Sequence, residues 1–590
     1  MYKRLATALR TPGSSRTPRP RPHSAHTPGR RPRLRRLRTP PPASARTASR
    51  PALVLVLLLA LVTGPGLLLP TSTTEASAAP AVHLPRTSCS SLAERDFGTV
   101  ATRIASAREV TVAGVANCQV DGTVAPRVGF RLNLPLTTWQ GRYLQQGCGG
   151  YCGQKPDPGP SPSCDLQPGG DFATAASDSG HTAPSALDGS WGTDPQARVD
   201  FAERGPHVVA VAAKAVMRAF YGTGPRHSYF NGCSTGGRMA LMEAQRHPTD
   251  FDGIVAGAPA NLAAPLEGEF ETWIARVNQD STHSDILTAD RLPALHRAVV
   301  AACDRRDGLT DGQIDDPRRC DFDPGTLRCR PQQDGGTGCL TAAQVTAARK
   351  LYQGPADPRG RRLYPGGMPY GSELAWPGWA VKGTSPTTAS QALSDGWLQH
   401  LGFPLGAPAS SFASWKFTVH GFDRLRTMGE LYNATDPDLG AFRARGGKLI
   451  LWHGWADSAI PPLGTVAYYD AVQRTTGGRT ATGRFARLFM MPTVYHCSGG
   501  YGPSSFDTLN PIVHWVERGT APERIVATQR DSTGNTVRTR PVFPYPARAV
   551  HRGTGSIDEA ASFTPVTPPP AAPVDWVGKD LFAPAGPPRR

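Results

Sequence analysis

The chain has 590 residues, 39% of them hydrophobic, and a formal net charge of +17. The charge is uneven: residues 1–78 carry 14 basic residues and one acidic residue, so only about +4 belongs to the rest. A remainder so near neutrality, with no RNP, zinc-finger or helix-turn-helix pattern, excludes nucleic acid as the expected partner.

The first 50 residues hold all 14 of those Arg and Lys, no Asp or Glu, and many Pro and Ser. Such a segment cannot bury enough apolar surface to fold. "ALVLVLLLALV" (Ala52–Val62) follows, then Gly64-Pro65-Gly66, then small residues with an A-x-A pattern ending at Ala78. Basic segment, short apolar run and small-residue site together predict a secretory signal peptide, hence a secreted protein. The run is shorter than the ~20 residues of a spanning helix, so no stable membrane span is expected once it is removed. A signal anchor is the alternative, because apolar character resumes at Leu67–Leu69. All 11 cysteines lie beyond this leader. Export makes disulfides the expectation, and the odd count leaves at least one sulfur over.

From about residue 126, β-like and helix-like pieces alternate. "RVGFRLNLP" and "RYLQQG" read as strands, and "HVVAVAAKAVMRAF" as a short apolar strand turning into a helix near Lys214. "SYFNG" reads as a strand, "GRMALMEAQRHP" as a helix and "FDGIVAGAPA" as a buried strand. This alternation predicts an α/β fold with parallel strands. From about 265 to 442 the texture turns rich in Gly, Pro, Trp and Cys, which reads as an inserted lid domain. The alternation resumes with "KLILWHGWAD", a helix near "LGTVAYYDAVQR" and "RLFMMPTVYHC". The expected organisation is a leader over 1–78, a sheet domain over 79–264 and 443–565, the lid between them, and a Pro-rich tail over 566–590.

"NGCSTGG" places Ser234 in G-x-S-x-G between a predicted strand and helix. That turn exposes a serine Oγ above the sheet, and Gly232 and Gly236 avoid side-chain clashes there. The N–H of Thr235, at the helix start, favours a negative oxygen. A serine nucleophile needs a base and an orienting carboxylate, in α/β-hydrolases in the order Ser, Asp or Glu, His. Asp457, on the loop after "LILWHG", and His496, after "RLFMMP", fit that order. Asp470 reads as exposed on a helix, Asp252 as too close to the elbow, and His453 as a packed, hydrogen-bonded histidine. Cys233 and Cys497 adjoin Ser234 and His496. If they are bonded, the Cα separation of about 4.4–6.8 Å in a disulfide clamps the two functional side chains together. The alternative is a free Cys233 with Cys497 paired elsewhere. "QQGCGGYCG" is a loop of the kind that supplies a second oxyanion donor, from Gly149 or Gly150, or is a plain glycine turn. In "CDRRDGLTDGQIDDPRRC", Asp304, Asp307 and Asp311 offer carboxylates at steps of three and four, suited to structural Ca2+, with Cys303 and Cys320 placed to staple the loop. A solvated acidic turn is the alternative.

These strings, with "DSGH" and "YHCSGG", resemble the tannase/feruloyl esterase family of α/β-hydrolases, which also includes an enzyme that cleaves a plastic-derived monoester. The resemblance runs from about Cys89 to Phe563. It implies an α/β-hydrolase fold with a large inserted lid, a Ser234–Asp457–His496 triad and a Cys233–Cys497 bridge. It also implies Ca2+ held by Asp304, Asp307 and Asp311 with the carbonyls of Leu309 and Gln313, and bridges Cys303–Cys320, Cys329–Cys339 and Cys89–Cys118. The family usually has Asn where this chain has Cys148, so Cys148, Cys152 and Cys164 look like an addition that leaves one bridge and one thiol. A further C-terminal cysteine pair is absent, with Phe543 and Thr564 in its place. The implied activity is hydrolysis of aromatic acyl esters, feruloyl first and galloyl second. The substrate would be a small aromatic ester or a feruloylated polysaccharide, lined by some of Trp376, Trp379, Trp397 and Phe403, though lid core is the plainer reading of each. A non-catalytic carbohydrate- or surface-binding protein on the same scaffold is the contrasting class, disfavoured by the intact Ser, Asp and His.

Overall fold

The computed structural model describes residues 81–98, 101–158, 171–331 and 336–584; the predicted leader and Cys164 lie outside them. Nine strands form one sheet: β1 (Thr102–Val112), β2 (Val115–Val124), β3 (Val128–Pro135), β4 (Arg142–Gln146), β5 (Phe172–Ser177), β6 (His227–Cys233), β7 (Gly253–Gly257), β8 (Lys448–Gly454) and β9 (Ala486–Met491). Their spatial order is β1-β2-β3-β5-β4-β6-β7-β8-β9. The first three pair antiparallel, β3 meets β5 antiparallel, and every pairing from β5 to β9 is parallel. The fold is that of an α/β-hydrolase.

The parallel strands β6 to β9 are buried nearly throughout, which is why they read as short apolar runs rather than alternating ones. Their register aligns Gln146 with Asn231, Cys233 with Gly257, Gly257 with Trp452, and Gly454 with Met491. The loops after β4, β6, β8 and β9 therefore leave the sheet at one common edge, the carboxyl edge where ligands bind in open α/β sheets.

Helix α1 (Gly205–Tyr221) corrects the expected strand near 207–213. Val208, Val209, Ala210, Ala212 and Ala213 are all buried, so the segment is apolar nearly all round. A helix covered on most sides shows no period to tell it from a buried strand. Pro206, in its first turn, and left-handed Gly222 at its C-terminus mark its true ends. Helix α2 (Thr235–Arg246) follows β6 directly, and helix α3 (Leu463–Thr476) links β8 to β9.

The described residues of 258–447, between β7 and β8, contribute no strand to the sheet. They form helices and long loops around a core that includes Trp376, Trp397, Trp415, Phe422 and Leu425. The Pro-rich C-terminal segment returns to this core. Trp576 packs 6.0 Å from Phe422 and 6.4 Å from Tyr364, and Phe582 packs 6.1 Å from Tyr468. Five disulfides are present among the described residues: Cys89–Cys118, Cys148–Cys152, Cys233–Cys497, Cys303–Cys320 and Cys329–Cys339.

Candidate active site

Ser234 sits between β6 and α2 at φ 64°, ψ −126°, a conformation that L residues rarely adopt. The turn is tight because three glycines interlock. A Cβ on Gly232 would come 2.4 Å from the Gly236 carbonyl carbon, and one on Gly147 would come 2.5 Å from the Gly236 Cα. The loop after β4 is thus pressed onto the first turn of α2. Gly147 was not legible as a site residue; its signal was only the density of glycines in "QQGCGG".

Asp457 is fully buried on the loop after β8. Its Oδ1 accepts hydrogen bonds from the N–H groups of Ala459 and Ile460, both at 2.9 Å. Its Oδ2 lies 2.9 Å from His496 Nδ1 and 3.3 Å from His453 Nε2. Burial alone would raise its pKa, but the His496 charge and hydrogen bonds from His453 and His496 hold the carboxyl well below its usual range. The two loops meet because Gly454 has no side chain: a Cβ there would lie 2.1 Å from the Val494 carbonyl oxygen. Trp455 N–H also donates to Met491 O at 2.7 Å.

His453 is completely buried, with Nδ1 2.8 Å from Thr465 Oγ1 and Nε2 2.8 Å from Ile460 O, as its reading as a packed histidine expects. Asp252 accepts from the Ser228 N–H at 2.8 Å, at the opposite end of β6 from Ser234. Asp470 differs from expectation: it is half-buried on α3, and burial raises its pKa.

Cys233 and Cys497 are bonded, and so bring Ser234 and His496 to one place. The His496 and Trp379 ring centroids lie 5.7 Å apart with the planes tilted by 50°. Trp376, Trp397 and Phe403 are buried core residues of the insertion, and Trp379 stands beside the site. Glu271, which sequence reasoning missed, is buried within the insertion near Trp379 and Asp457, its pKa raised by burial and the neighbouring Glu267. Its signal was the acidic "EGEFE" within an otherwise apolar helix.

In the loop after β4, Thr235 Oγ1 donates to Gly150 O at 2.7 Å. Gly150 is wedged against Ala186, whose oxygen would stand 2.2 Å from an added Cβ, whereas Gly149 faces open space. The Cys148–Cys152 bridge spans both glycines.

The acidic loop lies elsewhere on the insertion. Asp304 accepts from the N–H groups of Asp311 (3.1 Å) and Gly312 (3.0 Å), and Asp307 from Leu309 (2.9 Å). Asp311 is ion-paired with Arg540 at 2.5 Å. Burial and neighbouring carboxylates raise the pKa values of Asp307 and Asp315, and Gln313 Oε1 is buried without a partner. Asp315 is a further carboxylate that the D-x-x-D-G-x-x-D pattern did not mark.

A family model described as tannase and feruloyl esterase matches residues 110–566, most of the chain. The chain belongs to this family. Within this tannase and feruloyl esterase family it is 34% identical to a mono(2-hydroxyethyl) terephthalate hydrolase of Piscinibacter sakaiensis, over 77% of this chain and 85% of that one. It is 32% identical to a probable feruloyl esterase of Arthroderma benhamiae, over 73% of this chain and 81% of that one. The solved structure of feruloyl esterase B from Aspergillus oryzae superimposes with a TM-score of 0.69 at 26% identity, covering 81% of this chain and all of that one. This tannase/feruloyl esterase family member is accordingly a carboxylic ester hydrolase.

Proposed function

We propose that the protein is a secreted serine esterase that cleaves aromatic acyl esters, with feruloyl and related hydroxycinnamoyl esters as the preferred class. The observation that carries this reading is the convergence of Ser234, His496 and Asp457 at one sheet edge, with Trp379 beside the imidazole. Ser234 Oγ attacks the ester carbonyl while His496 Nε2 takes its proton. The tetrahedral oxyanion is held by the N–H of Thr235 and by Gly149 or Gly150, of which Gly149 has the open face. His496 returns the proton to the leaving alkoxide, and an acyl-enzyme remains. Water then attacks with the same base. Asp457 fixes the ring so that Nδ1 keeps its proton, and stabilises the imidazolium.

The acidic loop suits Ca2+: hard carboxylates from Asp304, Asp307 and Asp311, with the Leu309 and Gln313 carbonyls, in a setting where carboxylates raise one another's pKa. The ion would supply fixed positive charge. Ile314 N–H donates to Tyr501 OH at 3.2 Å, so the loop braces the segment that carries His496. Its removal with EGTA is expected to lower the melting temperature and the activity, both restored by Ca2+ but not in Asp307→Ala. An unchanged melting temperature counts against the ion.

The relative that hydrolyses a terephthalate monoester favours a second acyl class, monoaryl esters with a para-carboxylate. Rates on methyl ferulate, methyl gallate and mono(2-hydroxyethyl) terephthalate, for wild type and Ser234→Ala, test both. Ferulate should be fastest and Ser234→Ala inactive on all three; equal rates for the two proteins remove Ser234 from the mechanism. Among the described residues no helix is long and apolar enough to cross a membrane. Secretion is tested by recovery of the protein from culture medium with its N-terminus near residue 79.

A further inference from the structure

A groove of about 750 Å3 lies outside the ester site, and none of Ser234, Asp457 and His496 lines it. On one side stand Asp470, Gln473 and Arg474 of α3, with Arg479 in the turn that follows; on another stand Arg318 and Arg319 of the insertion. Tyr545 and the prolines of 568–570 line it with flat, mostly apolar rings. The groove approaches the ester site through Arg318, whose guanidinium lies 4.7 Å from the Trp455 ring centroid, two positions before Asp457. A helix rises about 1.5 Å per residue, so Arg474 stands roughly 15 Å along α3 from the end of the loop that carries Asp457.

Beyond the predicted leader the chain is only about +4, yet five arginines and no lysine line this groove. Two of the five have local partners. Arg318 donates from Nε and Nη2 to the Asp316 carboxylate, and Arg548 acts on Asp307 and Asp315 of the acidic loop. Arg319, Arg474 and Arg479 are exposed and form no ion pair among the described residues. Asp470 senses the charges of Arg474 and Arg479 but is bonded to neither. Three unpaired guanidinium groups sharing one concave surface concentrate anions there. Their planar forks suit carboxylates better than a lysine ammonium does.

We infer that this groove binds the main chain of a uronate-bearing polysaccharide, away from the ester that is cut; the inference rests on the reading of the protein as an esterase of aromatic acyl groups carried on polysaccharide. Arg319, Arg474 and Arg479 pair with the uronate carboxylates. Asp470 and Gln473 exchange hydrogen bonds with sugar hydroxyls, and Tyr545 and the prolines cover the C–H faces of the sugar rings. A nucleic acid fits less well. It carries a charge on every residue, which Asp470 repels, and Tyr545, the one aromatic ring in the lining, has its OH 3.1 Å from Arg318. A lipid surface calls for several exposed apolar side chains, and of the large exposed ones Val566 alone lies here. Holding the polymer at the groove raises the effective concentration of its ester groups at Ser234.

Full-length protein carrying Ser234→Ala is titrated calorimetrically with ester-free glucuronoxylan. Binding is expected, weakening severalfold as salt rises from about 50 to about 300 mM. Affinity should fall at least about tenfold when Arg474→Gln and Arg479→Gln are added, and be partly restored by Lys at both positions. Reducing the uronate carboxyls of the polymer to alcohols should abolish binding, a reading that needs no groove variant. Failure to bind glucuronoxylan, undiminished binding by the Gln variant, or equal binding of the carboxyl-reduced polymer each overturns the site. Tighter binding of duplex DNA or of phosphatidylglycerol vesicles than of glucuronoxylan overturns it too. No ester is cleaved in these measurements, so failure of the groove and failure of the esterase reading, which turnover of methyl ferulate tests, show separately.

Discussion

Cys233 and Cys497, 264 positions apart in the chain, hold their Cα atoms 5.8 Å from one another. Each is the immediate neighbour of a residue with a proposed catalytic role, so the bridge fixes the relation of Ser234 to His496 as well as the fold. Closing so long a loop is worth about 5–6 kcal/mol in the chain-entropy picture. Cys233→Ala/Cys497→Ala is expected to lower the melting temperature by several degrees and kcat/KM by at least about tenfold. The two losses separate if activity is measured well below the transition; full activity there would confine the bridge to stability.

Asp457 serves two histidines, and substitution distinguishes them. Asp457→Asn keeps the shape but loses the charge that fixes the His496 tautomer. An analogous change in a serine protease costs about 10⁴ in kcat, and a loss of 10³–10⁴ is expected here. His453→Gln removes a buried ring bonded to Thr465 and Ile460. It should destabilise by about 1–3 kcal/mol while leaving kcat within a few-fold. Steady-state kinetics and urea unfolding on both variants check the pair; a larger kcat loss at His453 would reverse the assignment.

The glycine contact between the β4 loop and α2 predicts a sharp steric effect. Gly147→Ala puts a methyl 2.5 Å from the Gly236 Cα, where neither backbone has a flexible side chain to move aside. The loop carrying Gly149 and Gly150 must shift, and losing one oxyanion donor costs about 10²–10³ in kcat. Gly149→Ala, which meets open space, should retain far more activity. Comparable losses at the two positions would remove the steric explanation.

Much of this site was legible because its parts are local. G-x-S-x-G, "WAD" and "YHC" each carry their chemistry within a few residues, and apolar runs before them place them at strand ends. α1 was misread because burial on nearly all sides erased its period. Asp315 and Glu271 were missed because what marks them is burial beside other carboxyls, a tertiary fact. The Cys148–Cys152 pairing was left open, since three nearby cysteines allow more than one bridge. Gly147 matters only through Gly236, nearly 90 positions away.

Asp178, in "DSGH", supplies a pH test. Burial lifts its pKa from 3.8 to about 6 despite N–H donors from Gly129 and Gly180. The folded state therefore holds this proton more tightly than the unfolded chain. The contribution of Asp178 to stability is largest below about pH 4 and declines as pH rises through 6, by up to roughly 3 kcal/mol at about 1.4 kcal/mol per pH unit. Both N–H groups bind Oδ1, which Asn retains. Asp178→Asn should thus be more stable than wild type at pH 7, and relatively less so at pH 4. Urea midpoints at the two pH values check it; a variant equally displaced at both sinks the claim.

The docking of Trp576 and Phe582 has a bearing on how the molecule is made. Phe422 and Tyr364 stay partly bare until residues near the far end of the chain have emerged. Synthesis from the N-terminus must therefore run almost to completion before the 258–447 region can acquire its final packing.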